Sequence, residues 1–533
     1  MCAPKGATLL GAPRITHLAL LVYLTFAPLR IIQTAHWILA ISTGVISLPR
    51  KLRNSLRCAL QKRELRTHEF DMKIAIEGCC HGELDAIYSH IASLEERNGY
   101  KVDLLLVCGD FQAIRNYHDL QCMAVPDKYK KLGGFLKYYT GQAKAPILTI
   151  VIGGNHEASN YFWELYHGGW LAPNIYFLGH AGCVQVNGVR IAGASGIFKA
   201  QDFRQGHWER IPYNHSSVRS IYHIREYNVR RLSLLSSPAV FLSHDWPQGI
   251  EHHGNLRDLL RRKPYFRDDI NKGVLGSPPL MGLLRTLKPQ WWFSAHLHCR
   301  FEATVLHNSR DPDASSIRDA TKSAEKTNPD EINIEDDVDT EPAAAAVPAE
   351  GRGIAPRNTD EIILDDEEED VEAPPTPLPP PTETKFLALD KCLPRRQFLE
   401  VIDVDIIPPG QHREDGLVLS FDPEWLAITR AFHQHMTLSR TQSSYPDETS
   451  ARDAVQREIG WIKEHVLANK DNGIIKVDDI QQFVMTAPAP APEDKDTRAQ
   501  PPYYPNPQTA AFCELLQIEN KVNLIVPESG STA

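Results

Sequence analysis

The sequence predicts an α/β fold in which layered β-sheet is flanked by helices and followed by a smaller, mostly helical C-terminal domain. Three observations carry this. Short continuous apolar runs recur between residues 72 and 305, and runs of that length suit strands buried on both faces. Helical patterns lie between several of them, and strands alternating with helices indicate a layered α/β architecture. Each run ends in glycine or polar residues, the punctuation expected where a buried strand reaches the surface.

In chain order, residues 73–77 read as the first strand, directly after Met72. Residues 103–107, 147–152, 190–193, 240–242 and 291–293 read as further strands, and residues 84–96 and 162–166 as helices, within a domain spanning 72–305. The next segment differs. Between 308 and 384, Asp, Glu, Pro, Ala and Ser dominate, aromatics are absent, and residues 365–370 are unbroken acid. Such a stretch cannot bury enough apolar area to offset its ordering entropy, so residues 306–384 read as an acidic disordered linker. Order returns near residues 385–389, a helical pattern covers 451–468, and a short helix around 510–516 follows a Pro-rich gap at 487–507. Residues 385–530 therefore read as the smaller domain.

The full chain of 533 residues allows two to four domains. Its net charge of -10 argues weakly against a simple polyanion binder, but the linker carries much of that acidity. Ten cysteines are scattered without a C-x-x-C pair, which suits a reducing intracellular compartment. The N-terminal residues 1–71 hold apolar runs at 18–29 and 31–48, broken by Arg30 and followed by Arg50, Lys51 and Arg53. A span of about 20 apolar residues can cross a bilayer, so an anchor is one reading. An organelle presequence, a dispensable extension and a start codon placed too early are the others. The favoured reading is an extension outside the fold, with no stable membrane association unless residues 1–71 belong to the mature protein.

Five polar motifs fall at the ends of the strands: Gly78-Cys-Cys-His-Gly82, Gly109-Asp-Phe111, Gly153-Gly-Asn-His-Glu157, Ser243-His-Asp-Trp-Pro247 and Ala295-His-Leu-His298. In open α/β sheets, sites form beyond the carboxyl ends of the strands, so these loops can converge. Together they supply imidazoles, a carboxylate, an amide and a thiol, a ligand set for borderline divalent metals. One carboxylate can bridge two cations about 3.5–4 Å apart, the geometry that activates water and steadies a phosphoryl oxygen. A single loop histidine is ordinarily a surface residue. Four of them in ordered motifs are not.

This order resembles the calcineurin-like metallophosphoesterases, whose pattern runs D-x-H, G-D, G-N-H-E/D, H, G-H-x-H. The resemblance implies that family's layered metallophosphoesterase β-sandwich and two divalent metal ions, with Fe2+, Zn2+ and Mn2+ all compatible with the donors. Carried over residue by residue, it implies one metal on Cys79, His81, Asp110 and His298, and another on Asp110, Asn155, His244 and His296. His156 corresponds to the family's nonligand histidine, which contacts the scissile phosphate and protonates the leaving oxygen. Cys79 departs from the pattern, standing where the family has its first aspartate, and is either a direct ligand or a spectator thiol. Cys80 reads as a buried small residue, and Glu157 as a support for its loop. Asp245 either orients His244 or caps a turn.

A cysteine at that position is typical of the lariat debranching enzymes, which other segments also resemble. These are Cys108-Gly-Asp-Phe-Gln-Ala-Ile-Arg-Asn116, Gly154-Asn-His-Glu-Ala-Ser159, Gly193-Ala-Ser-Gly-Ile-Phe198 and Thr384-Lys-Phe-Leu-Ala-Leu-Asp-Lys-Cys-Leu-Pro394. The resemblance covers residues 72–305 and 385–530. It implies hydrolysis of the 2′–5′ phosphodiester at the branch point of excised intron lariat RNA, in the nucleus, with splicing-associated proteins as further partners. Another metallophosphoesterase, a Ser/Thr phosphatase or a DNA nuclease, is the alternative. Ser/Thr phosphatases continue G-D with V-D-R-G, whereas Gly109-Asp-Phe111 runs on into Gln112-Ala-Ile-Arg115. A noncatalytic scaffold of the same fold would be expected to lose ligands that this chain keeps.

Residues 196–231 interleave cations with aromatics. Cations neutralise phosphates and aromatic faces stack on unpaired bases. Lys199, Phe203, Arg204, His207, Trp208, Arg210 and Tyr213 are therefore the candidate RNA contacts, although a helix with an aromatic core face also describes part of the segment. In the resembling family this region forms a lariat recognition loop.

Overall fold

Two sheets organise the chain, and each is built from strands far apart in sequence. The computed structural model describes residues 71–307, 382–405, 416–468, 470 and 473–523. The first sheet has the strand order β12-β1-β2-β3-β5-β4 and the second β10-β11-β9-β8-β7-β6-β13. In the first, β1 (Asp71–Glu77), β2 (Leu104–Val107), β3 (Leu148–Val151) and β5 (Ile175–Phe177) run parallel. In the second, β7 (Val189–Ala194), β8 (Val240–Ser243), β9 (Trp291–Ser294) and β11 (Thr382–Ala388) do the same. The remaining strands, β4 (Gly169–Ala172), β6 (Ala181–Val186), β10 (Phe301–His307), β12 (Leu399–Asp405) and β13 (Leu419–Phe421), pair antiparallel.

Strand alternation divides the core into two layers. Met72, Ile74 and Ile76 of β1 join Leu104 and Leu106 of β2 and Ile191, Phe241 and Trp292 of the second sheet in one apolar cluster. Ala75 and Leu105 point the other way, onto a helical layer. Phe241 and Trp292 stack with ring centroids 4.1 Å apart; full burial of such a side chain stabilises by roughly 1.5–3 kcal/mol. The outer layer begins with α1 (Leu84–Asn98), which buries Leu84, Ile87, Tyr88 and Ile91, one stripe at helical spacing. It ends at Gly99, whose φ of 69° is the left-handed conformation that glycine adopts without strain. A short α2 (Ser159–Glu164) follows β3. A single turn over Ser217–Ser220 precedes α3 (Glu226–Leu232), so helix does describe part of the basic-aromatic segment. Then come α4 (Leu256–Arg262) and α5 (Pro278–Leu287), the latter with proline in its first turn, where the missing N–H costs nothing.

The C-terminal residues carry α6 (Pro423–Phe432) and the two expected helices, α7 (Glu448–Ile462) and α8 (Pro507–Leu515). Each has an Asp or Asn cap, as where Asp422 accepts from Trp425 N at 3.0 Å. The same residues also supply three strands to the two sheets: β11 lies between β10 and β9, β12 edges β1, and β13 edges β6. The described residues between 71 and 523 accordingly group as one unit. Strands β10 and β11 include residues 306–307 and 382–384, so the expected linker is shorter at both ends; its remainder, and the extension before residue 71, lie outside the described residues. Among the described residues no helix is long and apolar enough to cross a membrane.

Candidate metal centre

The five motifs do meet beyond the carboxyl ends of parallel strands. Cys79 and His81 follow β1, Asp110 follows β2, Asn155 and His156 follow β3, His244 follows β8, and His296 and His298 follow β9. His81, Asp110, His296 and His298 have φ between 45° and 60°. Left-handed backbone costs a non-glycine residue roughly 1–2 kcal/mol, and such strain persists where surrounding structure over-determines it, as at functional sites. Glycines let the loops close on one another: a Cβ at Gly154 would overlap the Asp110 carboxylate, and one at Gly109 would overlap the His244 ring.

Donor atoms of Cys79, His81, Asp110 and His298 all lie within 4.8 Å of one another. His81 Nε2 stands 3.3 Å from His298 Nε2 and 3.6 Å from Asp110 Oδ2. Burial lowers the His81 imidazole to about 4 and drives His298 further down, so both are neutral, the form that ligates metals. Burial alone would raise Asp110, but His244 and His156, the latter also through a hydrogen bond, hold it well below the usual carboxylate range. Cys79 is buried, accepts from His296 N at 3.2 Å, and has its thiol pushed well up by burial and by Asp110. A neighbouring cation would reverse that preference and favour the thiolate. Four convergent donors with neutral imidazoles fit a divalent metal.

The second group shares Asp110. His244 Nε2 lies 3.4 Å from Asp110 Oδ1 and 3.1 Å from Asn155 Oδ1. His244 Nδ1 donates to Cys108 O at 2.7 Å, which fixes the ring and leaves Nε2 facing the carboxylate. The His296 ring is 5.0 Å from that of His244, and burial lowers it to about 3. The two Asp110 oxygens thus face different groups of donors, the arrangement a bridging carboxylate needs. His156 stands at the mouth, 30% exposed where His244 is wholly buried, with Nδ1 3.3 Å from Asp110 Oδ2.

Supporting residues divide as the sequence only partly foretold. Glu157 accepts from Phe111 N (2.8 Å), Gln112 N (2.8 Å) and Gly154 N (2.9 Å), tying the Asp110 loop to the Asn155 loop. Asp245 caps, accepting from Phe198 N and Trp246 N, while Cys108 O orients His244. Cys80 is buried against the helical layer. Sequence reasoning missed Glu77. It is fully buried, and burial, with Asp110 adding to it, holds its carboxyl well above the usual range. Its signal was an acid directly after the apolar run at 74–76. Also missed was the buttress from residues 389–398, where Asp390 O accepts from Cys79 N at 3.4 Å and Phe398 O from Gly78 N at 3.0 Å.

The candidate RNA contacts separate into two sets. Phe203, His207 and Tyr213 are buried, which corrects the expectation that they meet bases. Phe203 packs on Phe198, His207 sits 3.1 Å from Tyr166 Oη, and Tyr213 N donates to Gln500 Oε1. A ring enclosed on both faces offers no stacking surface. Arg210 is half-buried and donates to His207 O and Leu438 O. Arg204 is exposed and Lys199 half-exposed, while Trp208 keeps partial exposure beneath the Arg440 guanidinium, 3.9 Å from its ring. The aromatic periodicity reported mostly core, and the cations divide, with Arg204 exposed, Lys199 and Arg210 part-buried, and Arg225 and Arg231 fully buried.

Residues 72–300 match the calcineurin-like phosphoesterase family model, and residues 381–521 match the C-terminal domain of lariat debranching enzyme. The chain is 42% identical to a lariat debranching enzyme of Drosophila pseudoobscura pseudoobscura, over 86% of this chain and 79% of that protein. It is 41% identical to one from Arabidopsis thaliana, over 84% and 86% of the two chains. With one from Schizosaccharomyces pombe (strain 972 / ATCC 24843) the identity is 40%, over 84% and 96%.

Proposed function

The chain belongs to the lariat debranching enzyme family, and from that membership we propose that it hydrolyses the 2′–5′ phosphodiester at the branch point of excised intron lariat RNA. The observation that carries the reading is the meeting of Cys79, His81, Asp110 and His298 within 4.8 Å, with cysteine where the wider superfamily has aspartate. Those four residues would hold one divalent ion, and Asp110, Asn155, His244 and His296 a second. Bound there, Fe2+, Zn2+ or Mn2+ would supply Lewis acidity that activates water and stabilises charge on the phosphoryl oxygens.

The chain's own residues do the rest. Asp110 is held ionised between the two donor groups, and Glu157 holds its loop against that of Asn155. His156 stands open to substrate while Asp110 accepts from its backbone N at 2.9 Å, which fixes its loop. From there its imidazole delivers a proton to the departing 2′ oxygen, the general-acid role that histidine most often fills. Lys199, Arg204 and Trp208 offer charge and a stacking face to the RNA. This assignment carries with it action in the nucleus beside splicing-associated proteins. The test uses one RNA with a 2′–5′ branch and its linear 3′–5′ counterpart. Cleavage of the branched molecule alone is expected; equal cleavage of both would refute debranching and leave a general phosphodiesterase.

A further inference from the structure

The loop after β1 is paired with the C-terminal segment. Cys79 N donates to Asp390 O at 3.4 Å and Cys392 N donates to Cys79 O at 3.1 Å, so Cys79 and Lys391 are partners in a single parallel bridge. Paired residues on neighbouring extended chains project to the same face, and successive residues alternate. The alternation is visible here. Cys80 and Cys392 both turn into the helix-side core, whereas the Cys79 thiol faces the metal donors. Lys391 therefore leaves the backbone on the metal side.

The chemistry of a branch says what such a cation can do. At a 2′–5′ branch one ribose carries phosphodiesters on neighbouring 2′ and 3′ oxygens, while any linear position carries only one. A branch with its 2′ phosphate at the metal donors brings a second phosphate against the same wall. We propose that Lys391 binds the 3′-linked phosphate of the branch nucleotide and so makes the site prefer branched over linear RNA. This rests on the debranching reading. A lysine suits the task because its ammonium is a compact charge on a flexible stem, able to follow one phosphate without bidentate geometry.

The test compares a 2′–5′-linked dinucleotide lacking a 3′ phosphate with the same branch carrying a 3′–5′-linked nucleotide, using the metal-loaded full chain. Wild type should show the higher kcat/KM on the branched molecule. Lys391→Met should lose roughly 10- to 100-fold there, the range of one charge-assisted hydrogen bond. Its rate on the dinucleotide and its metal content should be unchanged. Equal losses on both substrates, or none on the branched one, would overturn the proposal. Wild type alone gives a second reading. The logarithm of its preference should fall against log salt with a slope of about -0.7, one phosphate contact on a single strand. A flat profile would overturn the proposal however Lys391→Met behaves. Failure of wild type to cleave either substrate would instead sink the debranching reading, and this proposal with it.

Discussion

Removing Glu157 tests how the metal loops are held, because this one buried carboxylate accepts three backbone N–H groups from two loops. Phe111 N and Gly154 N donate to Oε1 at 2.8 and 2.9 Å, and Gln112 N donates to Oε2 at 2.8 Å. In Glu157→Ala all three amides lose their partner inside a closed site. Each buried donor left unmade costs about 1–3 kcal/mol, and partial relaxation brings the total to about 3–6 kcal/mol. Against a global stability of about 5–15 kcal/mol, that is a large fraction. Glu157→Gln should cost less, since its amide oxygen can still accept from Phe111 and Gly154 while its NH2 opposes the Gln112 donor. Because Asp110 and Asn155 sit on the two loops, metal affinity should also fall roughly 10- to 100-fold, as for other residues that orient ligands. Denaturant unfolding of the metal-stripped chain reads the first effect and metal content after dialysis the second. A Glu157→Ala chain that unfolds at the wild-type midpoint and keeps its metal would refute this reasoning.

Three further outcomes follow from the same geometry. His156→Ala should lower kcat by about 10²- to 10⁴-fold, the usual worth of a positioned acid, while branched-RNA affinity stays near wild type; equal loss of both would remove its role as proton donor. Trp208→Ala should weaken RNA binding by about 1–3 kcal/mol with little effect on the melting temperature, whereas buried Phe203→Ala should destabilise by about 3–5 kcal/mol, and a reversal of that pattern would mean the loop opens in solution. The third outcome concerns pH. Arg115 faces both Asp119 and Glu164 in the interior, and burial raises Glu164 to about 7 despite the guanidinium. Between about 4.5 and 7 the folded chain then keeps a proton that the unfolded chain has lost. Glu164's contribution is therefore full below about 4.5 and is lost as pH rises through 7. Glu164→Gln should flatten that part of the unfolding profile, and an unchanged slope would refute the assignment.

Much of the first sheet was legible because its parallel strands are short apolar runs buried on both faces, as β1, β2 and β3 show. The donors were legible for a related reason. Loops that follow such strands must carry polar residues, and here the polar residues were ligand types in one order. What escaped depends on long-range pairing. Strand β11 enters between β9 and β10 from beyond the linker, and β12 reaches back to β1 with Val404 opposite Met72. A seven-residue strand does not declare its partner when that partner lies hundreds of residues away. Side-chain direction was equally hidden. Phe203 and Trp208 read alike in an aromatic-basic segment, yet one is buried on Phe198 and the other stays part-exposed beneath Arg440. Asp245, adjacent to His244 in sequence, caps a neighbouring turn instead, because Cys108 O lies where the His244 Nδ1 proton points.

The most direct test of the central claim joins metal content to the reaction. The chain is stripped of metal and titrated with Mn2+, Fe2+ or Zn2+, and single-turnover cleavage of a 2′–5′ branched RNA is followed at each ratio of bound ion to protein. Two donor groups sharing Asp110 predict that cleavage is absent in the stripped chain and reaches its maximum only as two ions bind. Full branch cleavage by the stripped chain, or by a chain whose metal content shows no relation to rate, would contradict the account.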